Sequence, residues 1–344
     1  MREIGLTTVA LDDEAKEIII IDQTKLPNET RMLRLSSSEE FYEAIYLLKV
    51  RGAPAIGVFA AYAAYLMACR CSASDFESFY SEFSEKRDYL NSSRPTAVNL
   101  SWALSRMDRT VLAHKSEPAA DILAALKREA ELIHKEDEDA CIAIGENALS
   151  LLKPGYGLLT HCNAGWLATS KYGTATAAMY LGHERGYDFR IYCDETRPLL
   201  QGARLTAYEL AAAGMDVTLQ CDNMAASLMA AGHIDAVLVG CDRVAANGDT
   251  ANKIGTSGVA AIAKHYGIPF YVCGPMSSID ASLESGKSIP IEMRKPEEVT
   301  DMWYARPMAP AGIKVYNPAF DVTDHSLITA IITEKGIYRP PFSF

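Results

Sequence analysis

Residues 157–165 read GLLTHCNAG, a short apolar run that leads into a polar loop closed by glycine. Residues 240–255 read GCDRVAANGDTANKIG and follow a similar apolar run, DAVLV. Each run is typical of a buried strand, and each loop carries one reactive side chain, Cys162 in the first and Asp242 in the second. In an open parallel sheet, the loops after the strands meet at a crevice where ligands bind. The pattern therefore predicts a thiol and a carboxylate that work as a pair.

The chain after Gly155 alternates short β-rich runs with helical patterns. The predicted strands are GLLT (157–160), FRIYC (189–193), DVTLQ (216–220), DAVLVG (235–240), PFYVC (269–273) and IKVY (313–316). Such alternation indicates a parallel sheet in an α/β domain. No GxGxxG follows a strand and no GxxxxGK[ST] occurs, so the sequence predicts a Rossmann-like domain without dinucleotide or P-loop chemistry. This argues against an NAD-dependent dehydrogenase.

Helical patterns dominate the earlier part of the chain, after one predicted strand at 17–22. Ser37 and Glu40 form a possible capping box ahead of the first helix. Further helices are predicted at 55–68, about 74–90, about 96–113 and, as a long connector, about 118–152. We therefore expect a mostly helical N-terminal domain with a small β element at 1–130 and a Rossmann-like α/β domain at 131–344.

Length and charge narrow the class of protein. A chain of 344 residues exceeds the usual size of one hydrophobic core, which favours two domains. The net charge of −11 argues against nucleic acid or an anionic membrane surface as the main partner. It still permits an anionic small substrate, because a local pocket of basic side chains can outweigh the global sign. The apolar run at 55–68 is too short to span a membrane and fits a buried helix.

Cysteine usage and the first residues bear on the compartment. Residues 1–17 lack the apolar segment of a secretory signal, so none is predicted. The eight cysteines include no CxxC pair, and neither His nor Cys recurs at the spacing of zinc ligands. We expect reduced thiols in a cytoplasmic protein, with no disulfide framework and no metal site.

The two reactive loops each have a simpler interpretation. Cys162 could be an inert core thiol, although its polar, glycine-terminated surroundings favour a base or nucleophile in a cleft. Asp242 could cap a helix or pair with Arg243, or it could be a general acid whose pKa is raised by desolvation. Cys241 is the competing thiol, and strand alternation turns it towards the core, opposite Asp242.

Three arrangements suit a phosphate group, although a solvated charge is the simpler interpretation of each. Arg51, Gly52 and Ala53 precede a helix whose free N–H groups and dipole favour anions. Arg94 precedes Pro95 ahead of another helix. The third arrangement is predicted to open a helix after the Asp242 loop, and its residues are Asn252 and Lys253.

The stretch DETRPLLQGAR (194–204) adds a polar candidate and a charged pair. Gln201 could bind a sugar hydroxyl or be an exposed residue of a first helical turn. Asp194 and Arg197 could form an ion pair that shapes their loop.

Six motifs in order carry a specific resemblance. They are RGAPAIG, SRPTAVNL, LLTHCNAG, DETRPLLQGARLTAYEL, GCDRVAANGDTANKIGT and YNPAFDVT. Together they resemble the methylthioribose-1-phosphate isomerases of methionine salvage, an enzyme branch related to the regulatory subunits of translation initiation factor 2B. The match runs from about residue 45 to about 325.

The resemblance implies roles at matching positions. The cysteine of the T-H-C-N motif is Cys162, and the aspartate of the G-x-D-R motif, the proton donor, is Asp242. The implied substrate-binding residues are Arg51, Gly52, Ala53, Arg94, Gln201, Asn252 and Lys253. The resemblance also implies a homodimer and a reaction without metal or organic cofactor. One position departs from the pattern, since Cys241 stands where a small residue such as alanine is expected.

The implied chemistry is an aldose–ketose isomerisation of a sugar 1-phosphate. The phosphate ester blocks the usual route through a free aldehyde, so Asp242 would protonate the ring oxygen from a low-dielectric pocket. Cys162 would then take the C2 proton as thiolate, or stabilise charge during a 1,2-hydride shift. Isomerases of 5-deoxyribose 1-phosphate and ribose 1,5-bisphosphate remain alternatives within the class. A non-catalytic phosphosugar-binding regulatory subunit is the alternative outside it.

Overall fold

The computed structural model describes residues 8–73, 75–95 and 98–344, which form two compact units. The N-terminal unit holds the described residues up to Cys141 together with Trp166–Gly173, and the C-terminal unit holds Ile142–Gly165 and Thr174–Phe344. The division between Cys141 and Ile142 lies inside the same long helix as the predicted boundary at 130/131. Residues 1–7, on which the absence of a secretory signal was partly argued, lie outside the described residues, as do Ser74 and Thr96 near two predicted helix starts.

The N-terminal unit begins with a three-stranded antiparallel sheet and continues as helices. Its strands are β1 (Val9–Asp12), β2 (Glu17–Ile21) and β3 (Met32–Leu35). Its helices are α1 (Ser38–Tyr46), α2 (Ala53–Ala68), α3 (Phe76–Asn91), α4 (Val98–Ala113) and α5 (Ala119–Leu149), the last of which runs on into the C-terminal unit. These elements make the N-terminal unit mostly helical, with a small β-sheet at its start.

Helices α1 and α2 have the capping and the burial that their sequence patterns predict. The capping box at α1 is confirmed, with the Glu40 N–H donating to Ser37 Oγ at 3.2 Å and the Ser37 N–H donating to Glu40 Oε2 at 2.9 Å. Every residue of α2 from Ala55 to Ala68 is buried, as expected for a helix that is apolar on all sides. Within the described residues, no helix combines the length and apolar character needed to cross a membrane.

The C-terminal unit holds two sheets. Its strands are β4 (Gly157–Thr160), β5 (Arg190–Asp194), β6 (Asp216–Gln220), β7 (Ala236–Val239), β8 (Arg243–Ala245), β9 (Thr250–Lys253), β10 (Phe270–Cys273), β11 (Ile279–Asp280), β12 (Phe320–Thr323), β13 (Ala330–Thr333) and β14 (Gly336–Tyr338). Its further helices are α6 (Ala177–Glu184), α7 (Ala207–Ala212, after a π-helical turn at Gly202–Thr206), α8 (Ala225–Ala230), α9 (Thr256–His265) and α10 (Glu297–Thr300).

The large sheet has the order β14-β13-β10-β7-β4-β5-β6, and only β14 runs antiparallel to its neighbour. From the β6 edge, its parallel strands follow the chain order 3-2-1-4-5-6, the order of a doubly wound Rossmann sheet. The chain therefore reverses direction across the sheet between β4 and β7. This confirms the predicted fold class and locates the switch point beside the two reactive loops.

One predicted strand is wrong. Residues 313–316 (IKVY) are irregular and exposed, with Tyr316 82% exposed. The sixth parallel strand is β13, which is fully buried and pairs with β10 through Tyr271↔Ala330. Both segments favour a strand locally, but only β13 has a neighbour to satisfy its backbone and a core to cover it.

The small sheet has the order β11-β8-β9-β12 and was not predicted. Its strands β8 and β9 form an antiparallel hairpin that starts directly after Asp242 and ends at Lys253. This hairpin lies within the motif GCDRVAANGDTANKIGT and leads from Asp242 to Asn252 and Lys253.

Candidate active site

The loop after β4 holds Cys162 in a fixed backbone conformation. Cys162 is buried and has a φ of 66°, in the left-handed region that non-glycine residues rarely adopt. Its N–H donates to Thr196 Oγ1 at 2.8 Å, and its carbonyl oxygen accepts from Thr206 Oγ1 at 2.6 Å. Two hydroxyls from the segment after β5 therefore hold the unusual conformation.

The loop after β7 passes against the loop after β4. A side chain at Gly240 would lie 2.5 Å from the Cβ atom of Ala164, so only glycine permits this approach. Two residues further on, the Asp242 N–H donates to the Ala251 carbonyl at 2.9 Å. The two loops, with Cys162 and Asp242, therefore meet at the switch point of the sheet.

Asp242 differs from the expectation in one respect, because its side chain is exposed. The low-dielectric pocket that an acid role requires is not formed around it in this structure. The neighbouring Cys241 behaves as the strand alternation indicates. A Cβ atom at Gly274 would lie 2.2 Å from Cys241 Sγ, and burial raises the pKa of this thiol to about 12. Cys241 is thus partly buried and packs against the hydrophobic core.

His161 lies in a buried hydrogen-bond network that the sequence did not predict. It is 1% exposed, with Nδ1 at 2.9 Å from Asp194 Oδ2 and Nε2 at 2.8 Å from the Ile254 carbonyl oxygen. Gln220 donates to the other carboxylate oxygen of Asp194 at 2.8 Å. The network links the ends of β4, β5 and β6 to the segment after β9.

The charge state of this network follows from its geometry. Burial acts to lower the pKa of His161, but the hydrogen bond from its ring to Asp194 and the negative charges of Asp194 and Asp222 raise it overall. Burial raises the pKa of Asp194 overall, although the hydrogen bonds from His161 and Gln220 oppose that rise. With a donor on each oxygen of Asp194 and an acceptor at each nitrogen of His161, the proton belongs on the imidazole.

The suggested ion pair of Asp194 with Arg197 is not present. Asp194 is engaged by His161 and Gln220, whereas Arg197 donates from Nη2 to the Val299 carbonyl at 2.7 Å. No local sequence pattern connects Asp194 with His161 and Gln220, because the three residues lie at the ends of different strands. The only sequence feature that pointed to this network was a polar histidine, His161, directly after a buried strand.

Gln201 lies in the segment after β5, at the start of the π-helical turn. It is 6% exposed, so the interpretation as an exposed helix residue is wrong. Its Oε1 atom is buried and has no hydrogen-bond partner among the described residues. An unsatisfied buried acceptor costs stability unless a bound donor, such as a hydroxyl, satisfies it.

The prediction that Asn252 and Lys253 open a helix is wrong, because both residues lie at the end of strand β9. Helix α9 begins later, and Asp321 caps its start by accepting from the N–H groups of Gly255 at 2.9 Å and Ser257 at 3.1 Å. A carboxylate therefore already occupies the anion position of this helix. Phosphate binding at the helix start is thus contradicted, and only the two side chains remain as candidate ligands.

These two side chains are held by neighbouring segments. Asn252 donates from Nδ2 to Thr256 Oγ1 at 3.0 Å. Lys253 donates to the Ala319 carbonyl at 3.0 Å, and its ammonium lies 4.4 Å from the ring centroid of Phe320. The motif at 316–323 thus orients Lys253 and caps α9.

The remaining predicted site residues belong to the N-terminal unit. Gly52 is the N-cap of α2, with a φ of 89° and, as glycine, no side chain to cap the helix. A side chain at Gly52 would lie 2.5 Å from Ala168, so the position also requires glycine for space. Arg51 precedes it, Ala53 begins the helix, and Arg94 lies between α3 and α4.

Among the residues that the structure describes, two groups of side chains have ligand atoms close enough for a metal ion. They are His161, Asp194 and Asp222, and Asp249, Asp324 and His325. In the first group, Asp222 accepts from the N–H groups of Thr196 and Arg197, at 2.7 Å each. In the second, Asp249 accepts from Gly286 and His325, at 3.0 Å each. Hydrogen bonds within the protein therefore explain why the ligand atoms of each group lie close together, and we assign no metal site to either group.

Comparisons with known proteins agree on one family. The profile of the Initiation factor 2 subunit family matches residues 49–340. A methylthioribose-1-phosphate isomerase of Symbiobacterium thermophilum is 65% identical over 97% of this chain and 93% of its own. A 5-deoxyribose 1-phosphate isomerase of Petrotoga mobilis is 58% identical over 97% of this chain and 96% of its own.

A solved structure gives the same result. The crystal structure of 5-methylthioribose 1-phosphate isomerase from Pyrococcus horikoshii matches with a TM-score of 0.93 at 44% sequence identity. The match covers 98% of this chain and 93% of that chain. At this identity and coverage, the similarity extends beyond a shared fold.

Proposed function

The chain belongs to the Initiation factor 2 subunit family and is a sugar-phosphate isomerase, and we propose that it converts 5-methylthioribose 1-phosphate to 5-methylthioribulose 1-phosphate. The reaction is the aldose–ketose isomerisation of methionine salvage. The 65% identical relative and the solved structure, both named for this substrate, support the choice.

The observation that carries the proposal is the position of two reactive groups. Cys162 follows β4 and Asp242 follows β7, the two strands that flank the switch point of the sheet. Ligands of doubly wound sheets bind at this point. A regulatory subunit that only binds a phosphosugar has no need of an acid and a thiol there.

In the proposed reaction, Asp242 donates a proton to the ring oxygen as the bond from C1 to that oxygen breaks. The ring opens although the anomeric oxygen stays esterified to phosphate. If Cys162 acts as a thiolate base, it takes the C2 proton and an enol phosphate forms. Return of a proton to C1 and loss of the O2 proton then give the ketose 1-phosphate. In the alternative, hydride moves from C2 to C1 while O2 loses its proton, and Cys162 stabilises the charge.

The exposure of Asp242 sets a condition on this mechanism. A carboxyl group in water is ionised at neutral pH and is a poor proton donor. We propose that the bound sugar covers the carboxyl group and excludes water, which raises its pKa enough for acid catalysis.

The substrate contacts are proposed from the family resemblance and the geometry. The unsatisfied Gln201 Oε1 suits a sugar hydroxyl. Asn252 and Lys253 lie at the end of β9, where a cation suits the phosphate. In the N-terminal unit, we propose phosphate or sugar contacts for Arg51, Gly52, Ala53 and Arg94.

A second substrate has specific support. A relative 58% identical to this chain is named for 5-deoxyribose 1-phosphate, in which C5 carries a hydrogen atom in place of the methylthio group. An apolar C5 pocket that holds one can hold the other, at a difference of about 1–3 kcal/mol. Ribose 1,5-bisphosphate would instead need a cationic C5 pocket.

A phosphorus and proton NMR time course tests the proposal. The purified protein is given 5-methylthioribose 1-phosphate, 5-deoxyribose 1-phosphate or ribose 1,5-bisphosphate, without added metal or nucleotide. We expect the first to give its ketose 1-phosphate with the highest kcat/KM. Comparable rates for the first two would indicate a dual role. Binding without turnover of any of them would contradict catalysis and indicate a regulatory phosphosugar sensor.

We also propose a cytoplasmic homodimer, as the family resemblance and the cysteine usage suggest. All eight cysteines lie in the described ranges, and none forms a disulfide. The molar mass in solution, measured by light scattering, checks the dimer.

A further inference from the structure

We propose that His161 is a positioning residue for Cys162, held as a buried imidazolium that donates hydrogen bonds to Asp194 and to the Ile254 carbonyl. Its effect on turnover rests on the proposed function. Its charge state and contacts do not, which allows the two claims to be tested separately.

The geometry of the ring gives the charge state. Nδ1 lies 2.9 Å from a carboxylate oxygen and Nε2 lies 2.8 Å from a backbone carbonyl oxygen. A neutral imidazole has one N–H and one lone pair, so one of its nitrogens would face an acceptor without a proton between them. A doubly protonated ring satisfies both contacts.

The groups around the ring support the same state. Asp194 lies on one side, Asp222 Oδ1 lies 4.0 Å from Nδ1, and the Ile254 carbonyl closes the other end. A side chain at Gly255 would lie 2.9 Å from Cε1, so the backbone of this glycine packs directly on the ring. The ring is thus fixed in orientation and surrounded by negative charge.

The network continues to the thiol-bearing residue. The Asp194 side chain holds His161, and the Asp194 carbonyl oxygen accepts from Thr196 Oγ1 at 3.1 Å. The same Thr196 oxygen accepts the N–H of Cys162 at 2.8 Å. His161, Asp194, Thr196 and Cys162 therefore form one closed circuit, since His161 and Cys162 are adjacent in the chain.

This circuit has two consequences for the reaction. It holds the N–H of the left-handed residue Cys162 through Thr196, while Thr206 outside the circuit holds the carbonyl oxygen, and together they fix the backbone that carries the thiol. It also places a buried positive charge one residue from the thiol, where an imidazolium favours the thiolate form that the base mechanism requires. A displacement of about 1 Å at such a position can cost about 100-fold in rate.

The first test measures the charge state without any substrate. Nitrogen-15 NMR of histidine-labelled protein reports which ring nitrogens carry protons, and the loss of one signal set in His161→Gln assigns the residue. We expect both nitrogens of His161 to be protonated at neutral pH and above. A neutral tautomer at neutral pH would overturn the proposal, whatever the protein catalyses.

The second test measures turnover of 5-methylthioribose 1-phosphate in Asp194→Asn. Loss of the carboxylate lowers the pKa of His161, so the ring loses its proton at a lower pH. We expect the basic limb of the kcat profile to move to lower pH by about one to three units, with KM changed little. A loss of rate by the same factor at every pH would indicate a merely structural role and overturn the proposal.

Two further variants complete the design. His161→Gln is expected to lower kcat by about 100-fold. The matched control is His233→Gln at an exposed histidine, which should leave both the kcat and its pH profile unchanged. If the wild-type protein turns over none of the sugars but shows the imidazolium, the proposed function fails and the positioning network stands.

Discussion

The carboxylate of Glu209 occupies the space that a side chain on Gly165 would need. An added Cβ atom would lie 1.5 Å from Glu209 Oε1, and Glu209 is completely buried on α7. Gly165 closes the loop that carries Cys162. A buried acidic side chain thus packs on the backbone of the proposed catalytic loop, and glycine is required there for space rather than for flexibility.

Replacing Gly165 with alanine should therefore destabilise the protein. We expect Gly165→Ala to lower the free energy of unfolding by about 1–3 kcal/mol, measured by urea denaturation. The matched control is Gly258→Ala on α9, an exposed position with open space around it, where alanine should stabilise by up to about 1 kcal/mol. Equal stability of Gly165→Ala and wild type would show that the loop and Glu209 separate readily.

Replacing Cys162 with alanine tests the thiol. We expect the kcat for 5-methylthioribose 1-phosphate to fall by roughly three powers of ten, because the group that acts on the C2 hydrogen is lost. Circular dichroism should be unchanged. Cys221→Ala, at an exposed cysteine, serves as the control and should keep full activity. A Cys162→Ala variant with near-normal turnover would remove this residue from the chemistry.

Replacing Asp242 with asparagine tests the acid. Asparagine keeps the size and polarity of the side chain but lacks the acidic proton, so we expect kcat to fall by about two to four powers of ten. Circular dichroism and thermal denaturation of the variant separate a loss of activity from a loss of the folded state. The control is Asp216→Asn at the exposed start of β6. If both variants turn over substrate alike, another group protonates the ring oxygen.

Gln201 should show opposite effects on stability and binding. Its buried Oε1 lacks a partner among the described residues, so Gln201→Met removes an unsatisfied acceptor at similar volume. We expect the free energy of unfolding to rise by about 1 kcal/mol and the KM to rise as a sugar hydroxyl loses its acceptor. Thermal denaturation and steady-state kinetics measure the two effects. An unchanged KM would exclude Gln201 from the substrate site.

Asp249 should make stability depend on pH. Burial opposes its ionisation, but hydrogen bonds from Asn247, His325 and Gly286 lower its pKa from 3.8 to about 2. A carboxyl group whose pKa is lower in the folded state stabilises that state above the unfolded pKa, and the stabilisation is lost as pH falls through the folded value.

We therefore expect Asp249→Asn to be less stable than wild type at neutral pH. The difference in the free energy of unfolding should shrink between about pH 4 and about pH 2. Urea denaturation at several pH values measures it, with Asp216→Asn as the control. A difference that stays constant over this range would mean that the charge of Asp249 contributes nothing.

The sequence predicted those parts of the fold that depend on local patterns. Runs such as GLLT and DAVLVG are buried strands because their apolar residues leave no face for solvent. The loops that follow them carry Cys162 and Asp242 to one edge, because parallel strands share a direction. The capping box at Ser37 depends on residues three apart, which the sequence shows directly.

Contacts between distant segments were decided only by the tertiary structure. Residues 313–316 and β13 have similar local preference, and pairing with β10 selected β13. The cap of α9 comes from Asp321 on another strand, so Asn252 and Lys253 could not be placed from their own neighbourhood. Burial of His161 between two acceptors and exposure of Asp242 also arise from packing. Periodicity along a chain reports which residues are apolar, but hydrogen-bond partners and dielectric environment depend on which segments meet in space.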